Sequence, residues 1–400
     1  MLLFVLLQVH DAASDWMKSY ASVVKRTYVI DLRQSTKRQM MDTDARKRLG
    51  AYEKHSEIGR GTYGTVYLGY HADSRAPVAI KKVLGPLKEA RHEAEMLAKC
   101  RGAAHVVQLL EAVERREKLY LVMEHMDSDL ETLISATETV PTLEIAQVKA
   151  YLKMLLLGVH ELHTRGILHR DLKPNNLLLS KTLRCAKITD FGMATLIVTA
   201  GGNEEDESID DKDCKEEKVN PKRSVQVVTR AYRPPEIFFG EERYGWEVDM
   251  WSVGCIFAEM LLRRPLADGS SDIDQLSKIF AALGSPTENG WSEASQLPFY
   301  LRFKDTNPTP LAEHFSMLSA AGVDLLAQLL QLDPKKRISA SKALQHEFFS
   351  EDPEPAAPSD LIVVDVPDRV ESSAIDSGTA DVVVTSDASH TFMIKGRRLL

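Results

Sequence analysis

Within eight residues the chain carries His169-Arg170-Asp171-Leu172-Lys173-Pro174-Asn175-Asn176, and fourteen residues after Asn176 comes Asp190-Phe191-Gly192. A metal-bound triphosphate needs hard oxygen ligands. The amide oxygen of Asn176 and the carboxylate of Asp190 supply them, as a pair that would hold Mg2+ across the phosphates. Asp171 is then the carboxylate left to orient an acceptor hydroxyl and take its proton. Lys173, two residues on, can neutralise a transferring phosphoryl group, in a reaction whose catalysis is largely charge stabilisation.

A phosphate cradle is also legible. In Gly59-Arg60-Gly61-Thr62-Tyr63-Gly64-Thr65-Val66 the glycine spacing lets backbone approach phosphate oxygens that side chains would otherwise block. Alone, this motif is shared with dinucleotide-binding turns. Here it sits between two strand-like runs rather than opening a long helix, and Val78-Ala79-Ile80-Lys81 follows, so the dinucleotide reading falls away. Lys81 comes after three apolar residues, which points its charge at a mostly buried surface and demands a partner. Glu93, on a helix expected over 87–99, is the candidate, and an ion pair between the two would hold the ammonium against the α- and β-phosphates.

These groups need elements to hold them. From Tyr52 to about Met126, short alternating runs such as 78–83 and 119–123 read as strands of a small sheet, interrupted by the 87–99 helix. Beyond Asp127 helical spacing dominates, as in Ile145, Val148, Leu152, Leu155, Val159 and Leu162, closed by Gly166. Residues 1–51 read as a basic extension, with nine Lys/Arg against three acids between Lys18 and Arg48. Residues 203–218 hold nine acids and three lysines with almost nothing apolar, and read as an inserted loop. Residues 350–400 read as a disordered tail.

Composition sets the outer bounds. The 400 residues are 44% hydrophobic and 27% charged with a net charge of -8, which suits a soluble globular chain and gives no reason to expect nucleic-acid binding. The four cysteines have neither zinc-site spacing nor disulfide density, so a reducing compartment fits. The apolar run 2–9 lacks a positive flank and is too short to span a bilayer, which leaves no membrane role and favours cytoplasm or nucleus.

Taken in order, these motifs resemble the eukaryotic protein kinase superfamily across residues 52–349. The resemblance implies an α+β bilobal fold, with a small antiparallel-sheet N-lobe carrying one helix over a larger, mainly helical C-lobe. ATP would lie between the lobes with Mg2+. It implies Asp171, Lys173, Lys81 and Glu93 in catalysis, and Asn176 and Asp190 at the metal. ATP would be bound by Gly59, Arg60, Gly61, Gly64, Val66, Ala79 and Lys81, with Met123 as gatekeeper and the hinge running from Glu124 to Met126. Leu97, Leu109, His169 and Phe191 resemble a stacked spine. Pro234-Pro235-Glu236 stands where Ala-Pro-Glu is usual, Asp249-Met250-Trp251 follows, and Arg337 is expected to pair with Glu236.

Lys173 and Thr229 resemble serine/threonine kinases. The string 227–236, with an expected helical stretch over about 262–310, resembles the group holding cyclin-dependent, mitogen-activated and glycogen synthase kinases. In that group the arginine matching Arg233 helps shape a pocket for proline after the phosphoacceptor. The twelve-residue Lys81–Glu93 spacing argues against cyclin dependence, although an activating partner or an upstream kinase stays open beside protein substrates. Ser224 is a phosphosite candidate whose cationic partners map to His92, Arg170 and Thr195, of which only Arg170 is a firm cation. A noncatalytic scaffold is disfavoured because no catalytic part is missing.

Overall fold

The computed structural model describes residues 48–61, 64–197, 223–225 and 227–364. Residues 1–47, the acidic insert 203–218 and the tail beyond 364 lie outside the described residues. Six strands, β1 (Arg48–Leu49), β2 (Tyr52–Gly61), β3 (Gly64–His71), β4 (Pro77–Val83), β5 (Leu109–Arg115) and β6 (Lys118–Glu124), form an antiparallel sheet ordered β1-β2-β3-β4-β6-β5. Period-two alternation sorts its faces. Val78, Ile80 and Val122 join Leu49 in a small outer core. On the other face Leu119, Leu121 and Met123 enter the main core beneath α1 (Leu87–Lys99). That helix buries Ala90, Glu93, Met96 and Leu97, the three-to-four spacing of one helix face.

Below the sheet, β7 (Ser128–Asp129) leads into α2 (Leu130–Ser135), whose first turn is capped by Asp129 accepting from the Thr132 amide at 2.7 Å. The long α3 (Ile145–Thr164) ends near Gly166, whose φ of 68° is the left-handed conformation glycine adopts freely. Four short strands follow, β8 (Ile167–Leu168), β9 (Leu177–Ser180), β10 (Cys185–Ile188) and β11 (Thr195–Leu196), pairing as β10-β9-β7 and β11-β8. They carry the site loops between them. The remaining helices are α4 (Pro235–Phe238), α5 (Glu247–Leu262), α6 (Asp272–Leu283), α7 (Leu311–His314), α8 (Ala320–Leu329) and α9 (Ala340–Ala343). α5 is buried throughout 248–260, so it forms the axis of this lobe.

Three boundary expectations are corrected. The N-terminal extension does not run to residue 51 as an appendage, because β1 pairs with β2 and buries Leu49. The stretch 262–310 is helical only over α6 and a short turn at Ser292–Gln296. The tail is not disordered from residue 350, since 350–364 lies along α3. There the Ala356 amide donates to the Ala146 carbonyl at 2.8 Å, and Gln147 donates to the Asp360 carbonyl at 2.7 Å and accepts from the Ile362 amide at 3.2 Å. Tyr151 donates to the Ile362 carbonyl, and Leu361 is buried. Composition alone hid this, because α3 supplies the hydrogen bonds that the strap lacks internally.

Two buried polar contacts make the fold testable. Arg337 meets Glu236 through two hydrogen bonds of 2.7 and 3.1 Å and stacks over Trp251 at 5.1 Å. Arg337→Leu strands the Glu236 carboxylate, so we expect a loss of about 3–5 kcal/mol in urea unfolding. Glu259 accepts from the Tyr232 hydroxyl at 2.8 Å, and burial, reinforced by Glu131 and Asp268, pushes its carboxyl up to about 7. A carboxyl raised in the folded state contributes stability that is present below its unfolded pKa of 4.5 and lost as pH rises through about 7. The melting temperature of Glu259→Gln relative to wild type should therefore climb between pH 5 and pH 8.

Candidate active site

Lys81 projects from β4 to the inner face and is bonded at 2.6 Å to Glu93 of α1 and at 2.7 Å to Asp190. Lys81 and Glu93 are both buried. Burial alone would pull the Lys81 ammonium down, but the two carboxylates outweigh it and hold its pKa above the ordinary lysine value. Burial also opposes ionisation of Asp190, yet Lys81 keeps that carboxyl below its usual range. For Glu93 burial wins over Lys81 and the carboxyl stays above its usual range. The sequence expectation of a Lys81–Glu93 pair is met, with Asp190 as a second acceptor.

The loop between β8 and β9 gathers the other polar groups. The Asp171 carboxylate accepts from Lys173 Nζ at 2.8 Å, from the Thr229 hydroxyl at 2.7 Å and from the Thr229 amide at 3.1 Å. Lys173 also reaches Thr229 Oγ1 at 3.2 Å. Asn176 spends its amide nitrogen on the Asp171 carbonyl at 2.8 Å, which leaves its oxygen as the outward acceptor. Among the described residues no group of three or more His, Cys, Asp or Glu is arranged for a metal. An amide oxygen and a carboxylate completed by phosphate oxygens and water is the sparse set that suits Mg2+, so Asn176 and Asp190 fit that ion.

The whole loop hangs on a residue to which the sequence reading gave no role. Asp249, fully buried on α5, accepts from the His169 amide at 3.0 Å, the Arg170 amide at 2.8 Å and His163 Nε2 at 2.9 Å. Burial works against its charge, but His163, with His169 and the Arg170 amide, holds its carboxyl below the usual carboxylate range. Its place in Asp249-Met250-Trp251 was the available signal. Arg170 in this loop and Asp190 in the turn after β10 both adopt positive φ, 63° and 65°, so each segment holds a strained residue. His169 packs edge-on to Phe191 with ring centroids 5.2 Å apart, a contact between two of the four residues named for the spine.

At the roof, Gly59, Arg60 and Gly61 of β2 pair with Val66, Thr65 and Gly64 of β3. The Arg60 side chain turns outward to a bidentate bond with Glu57, so only its backbone is placed for phosphate. A Cβ on Gly64 would sit 2.7 Å from the Lys82 carbonyl and 3.3 Å from the Lys81 side chain, so glycine there is what lets the lysine pass. Met123 and Ala79 face each other across β6 and β4, and Met126 is buried just beyond. The Glu124 side chain is directed elsewhere than nucleotide. It accepts from Lys187 at 2.8 and 2.9 Å and from the Gln108 amide at 2.8 Å, a buried brace between the lobes that the sequence reading missed.

On the acceptor side, Val228 has φ 67° and its carbonyl accepts twice from Arg233, at 3.1 and 2.9 Å. Ser224 is exposed, and its carbonyl accepts from the Tyr244 hydroxyl at 2.6 Å, which in turn accepts from Arg170 at 3.1 Å. Of the three groups expected to serve Ser224, His92 contacts the Ala194 carbonyl at 3.0 Å and Thr195 lies in β11. Beyond those three positions the structure adds Arg223, which donates to the Tyr244 carbonyl and whose pKa is lowered by burial and by the nearby Arg170 charge.

The family model for the protein kinase domain matches residues 52–349. The chain is 40% identical to the serine/threonine-protein kinase crk1 of Schizosaccharomyces pombe over 317 residues, 77% of this chain and 87% of the relative. It is 39% identical to cyclin-dependent kinase 7 of Xenopus laevis over 78% of this chain and 85% of the relative. It is 38% identical to cyclin-dependent kinase D-1 of Oryza sativa over 80% and 72% respectively. Among solved structures, a chain of the CAK complex from Chaetomium thermophilum bound to ATP-gamma-S matches with a TM-score of 0.68 and 35% identity, over 78% of this chain and 94% of that one. The chain belongs to the protein kinase family and is a serine/threonine protein kinase of the cyclin-dependent group.

Proposed function

We propose that this site transfers the γ-phosphoryl group of ATP to a serine or threonine that is followed by proline, with residue roles as follows. The Asp171 carboxylate, already bonded to a threonine hydroxyl at 2.7 Å, is the observation that carries the assignment. It orients the acceptor hydroxyl and takes its proton as the oxygen–phosphorus bond forms and the bond to the β-phosphate oxygen breaks, leaving ADP. Lys173 faces the same point and offsets the charge on the moving phosphoryl. Lys81 holds the α- and β-phosphates, while the backbone of Gly59, Gly61 and Gly64 covers them. Asn176 and Asp190 would hold Mg2+, which when bound neutralises phosphate charge.

Proline preference follows from the acceptor pocket. The Val228 carbonyl is occupied by Arg233, so a substrate residue packed there finds no acceptor for its amide, and proline has no amide hydrogen to satisfy. An activating partner of the cyclin type is part of the same proposal. The twelve-residue Lys81–Glu93 spacing argued against it, but the names of the relatives outweigh a spacing argument. Ser224 is proposed as a phosphosite served by Arg170 and Arg223, where the Tyr244 bridge already ties Arg170 to the Ser224 backbone.

Two measurements check these roles. In a Ser/Thr peptide library with labelled Mg-ATP, Asp171→Asn should lose phosphotransfer by at least about a thousandfold while still binding ATP, and wild type should enrich proline after the acceptor. Retained transfer in the variant would remove Asp171 from the chemistry. Ser224→Ala should lower kcat/KM by less than about tenfold, since the phosphate adds to an existing tie. A larger loss would show that the phosphate itself orders the segment.

A further inference from the structure

The sheet face opposite Lys81 and α1 holds a second feature. A cavity of about 370 Å3 is lined by Lys54, Lys82, Arg115, Arg116 and Lys118. Its remaining walls are Leu49 and Tyr120. Strand parity puts these side chains there. Lys82 faces outward because Lys81 faces in, and Lys118 and Tyr120 face outward because Leu119 and Leu121 are buried. The sheet curls so that Arg115 of β5 donates to the Arg48 carbonyl of β1 at 2.6 Å, although β1 and β5 are its opposite edges. At the β5–β6 turn Arg116 and Glu117 both have positive φ, 49° and 60°, the primed hairpin geometry that sets Arg116 at the rim.

Elsewhere in this lobe several surface cations have carboxylate partners. Arg48 and Arg75 pair with Glu53, Arg60 with Glu57 and Arg91 with Glu114. Among the described residues, no ion pair joins Lys54, Lys82, Arg116 or Lys118 to a carboxylate, and Lys54 lies 3.9 Å over the Tyr67 ring instead. A chain with net charge -8 thus gathers these four cations around one hollow, where a bound polyanion would relieve their mutual repulsion. The volume falls within the range of ligand pockets, about 300–1,000 Å3.

We propose that this cavity is a docking site for an acidic stretch of a protein substrate, separate from the phosphoacceptor cleft. Charge complementarity sets the class. A concave pocket with an apolar wall accommodates carboxylate side chains and their stems, whereas single-stranded nucleic acid calls for an open groove with successive stacking rings, and this cavity offers one ring, Tyr120. Docking there raises the local concentration of the acceptor without touching the chemistry. The proposal rests on the kinase reading for its substrate. Its binding arm needs no catalysis and is run in the Asp171→Asn full-length chain.

The probe is a labelled sixteen-residue peptide with the sequence of residues 203–218, followed by fluorescence anisotropy. We expect salt-sensitive binding, at least about tenfold weaker in Arg116→Gln/Lys118→Gln, and no binding of the same peptide with every Asp and Glu amidated. Those two side chains are exposed, so the double variant should melt as wild type does. In the active enzyme, a substrate peptide joined to the acidic stretch should show a raised KM and unchanged kcat in the double variant, with no change for a short substrate lacking it. Equal binding by the double variant, or by the amidated peptide, would overturn the proposal. Binding of inositol hexakisphosphate or single-stranded RNA without binding of the peptide would reassign the cavity to another anion. A chain deleted of 203–218 that binds the peptide about tenfold more tightly would make the cavity self-occupied, which also overturns substrate docking.

Discussion

A lysine ammonium removed from water and shared by two carboxylates governs this molecule. Lys81 belongs to β4, Glu93 to α1 and Asp190 to the turn between β10 and β11, so three separate pieces of chain converge on one charge. Removing one partner from a buried pair leaves an uncompensated charge, a cost of about 3–5 kcal/mol. The sheet, the helix and the metal-ligand loop are consequently placed relative to one another by electrostatics, in a geometry that also leaves the ammonium where phosphates would arrive. Gly64 belongs to the same constraint, because a Cβ there would collide with the Lys82 carbonyl and crowd the Lys81 side chain.

A second buried charge does for the catalytic loop what Lys81 does for the nucleotide side. Asp249 gathers the amides of His169 and Arg170, and these bonds offset the strain of a non-glycine residue in the left-handed region, about 1–3 kcal/mol for each such residue. With Arg170 so held, Asp171 faces Lys173 and Thr229 rather than solvent. Val228 is strained in the same sense, and there the strain turns a carbonyl toward Arg233 and away from any substrate amide.

The sequence carried much of this because phosphoryl transfer needs particular residue types close together along the chain. His169 to Asn176, Asp190 to Gly192 and the glycine run are local, and the α1 boundaries follow from a local three-to-four pattern. Two of the things that the sequence left out were long-range. The strap at 350–364 looked unable to order itself because its hydrogen-bond partners sit on α3, some two hundred residues earlier in the chain. Glu124 was placed at the hinge by its position, and its side-chain bond to Lys187, 63 residues further along the chain, was not legible.

Residue types and short spacings by themselves thus determined the chemistry: a carboxylate for the hydroxyl, an amide and a carboxylate for the metal, and glycines and a lysine for the phosphates. Only the tertiary structure decided which charges share a partner. That selection placed Asp249 under the catalytic loop, set Arg223 beside Arg170, and left Lys54, Lys82, Arg116 and Lys118 around one hollow without an acid. Composition counts charges, but Coulomb energy depends on the distances and burial that folding alone creates.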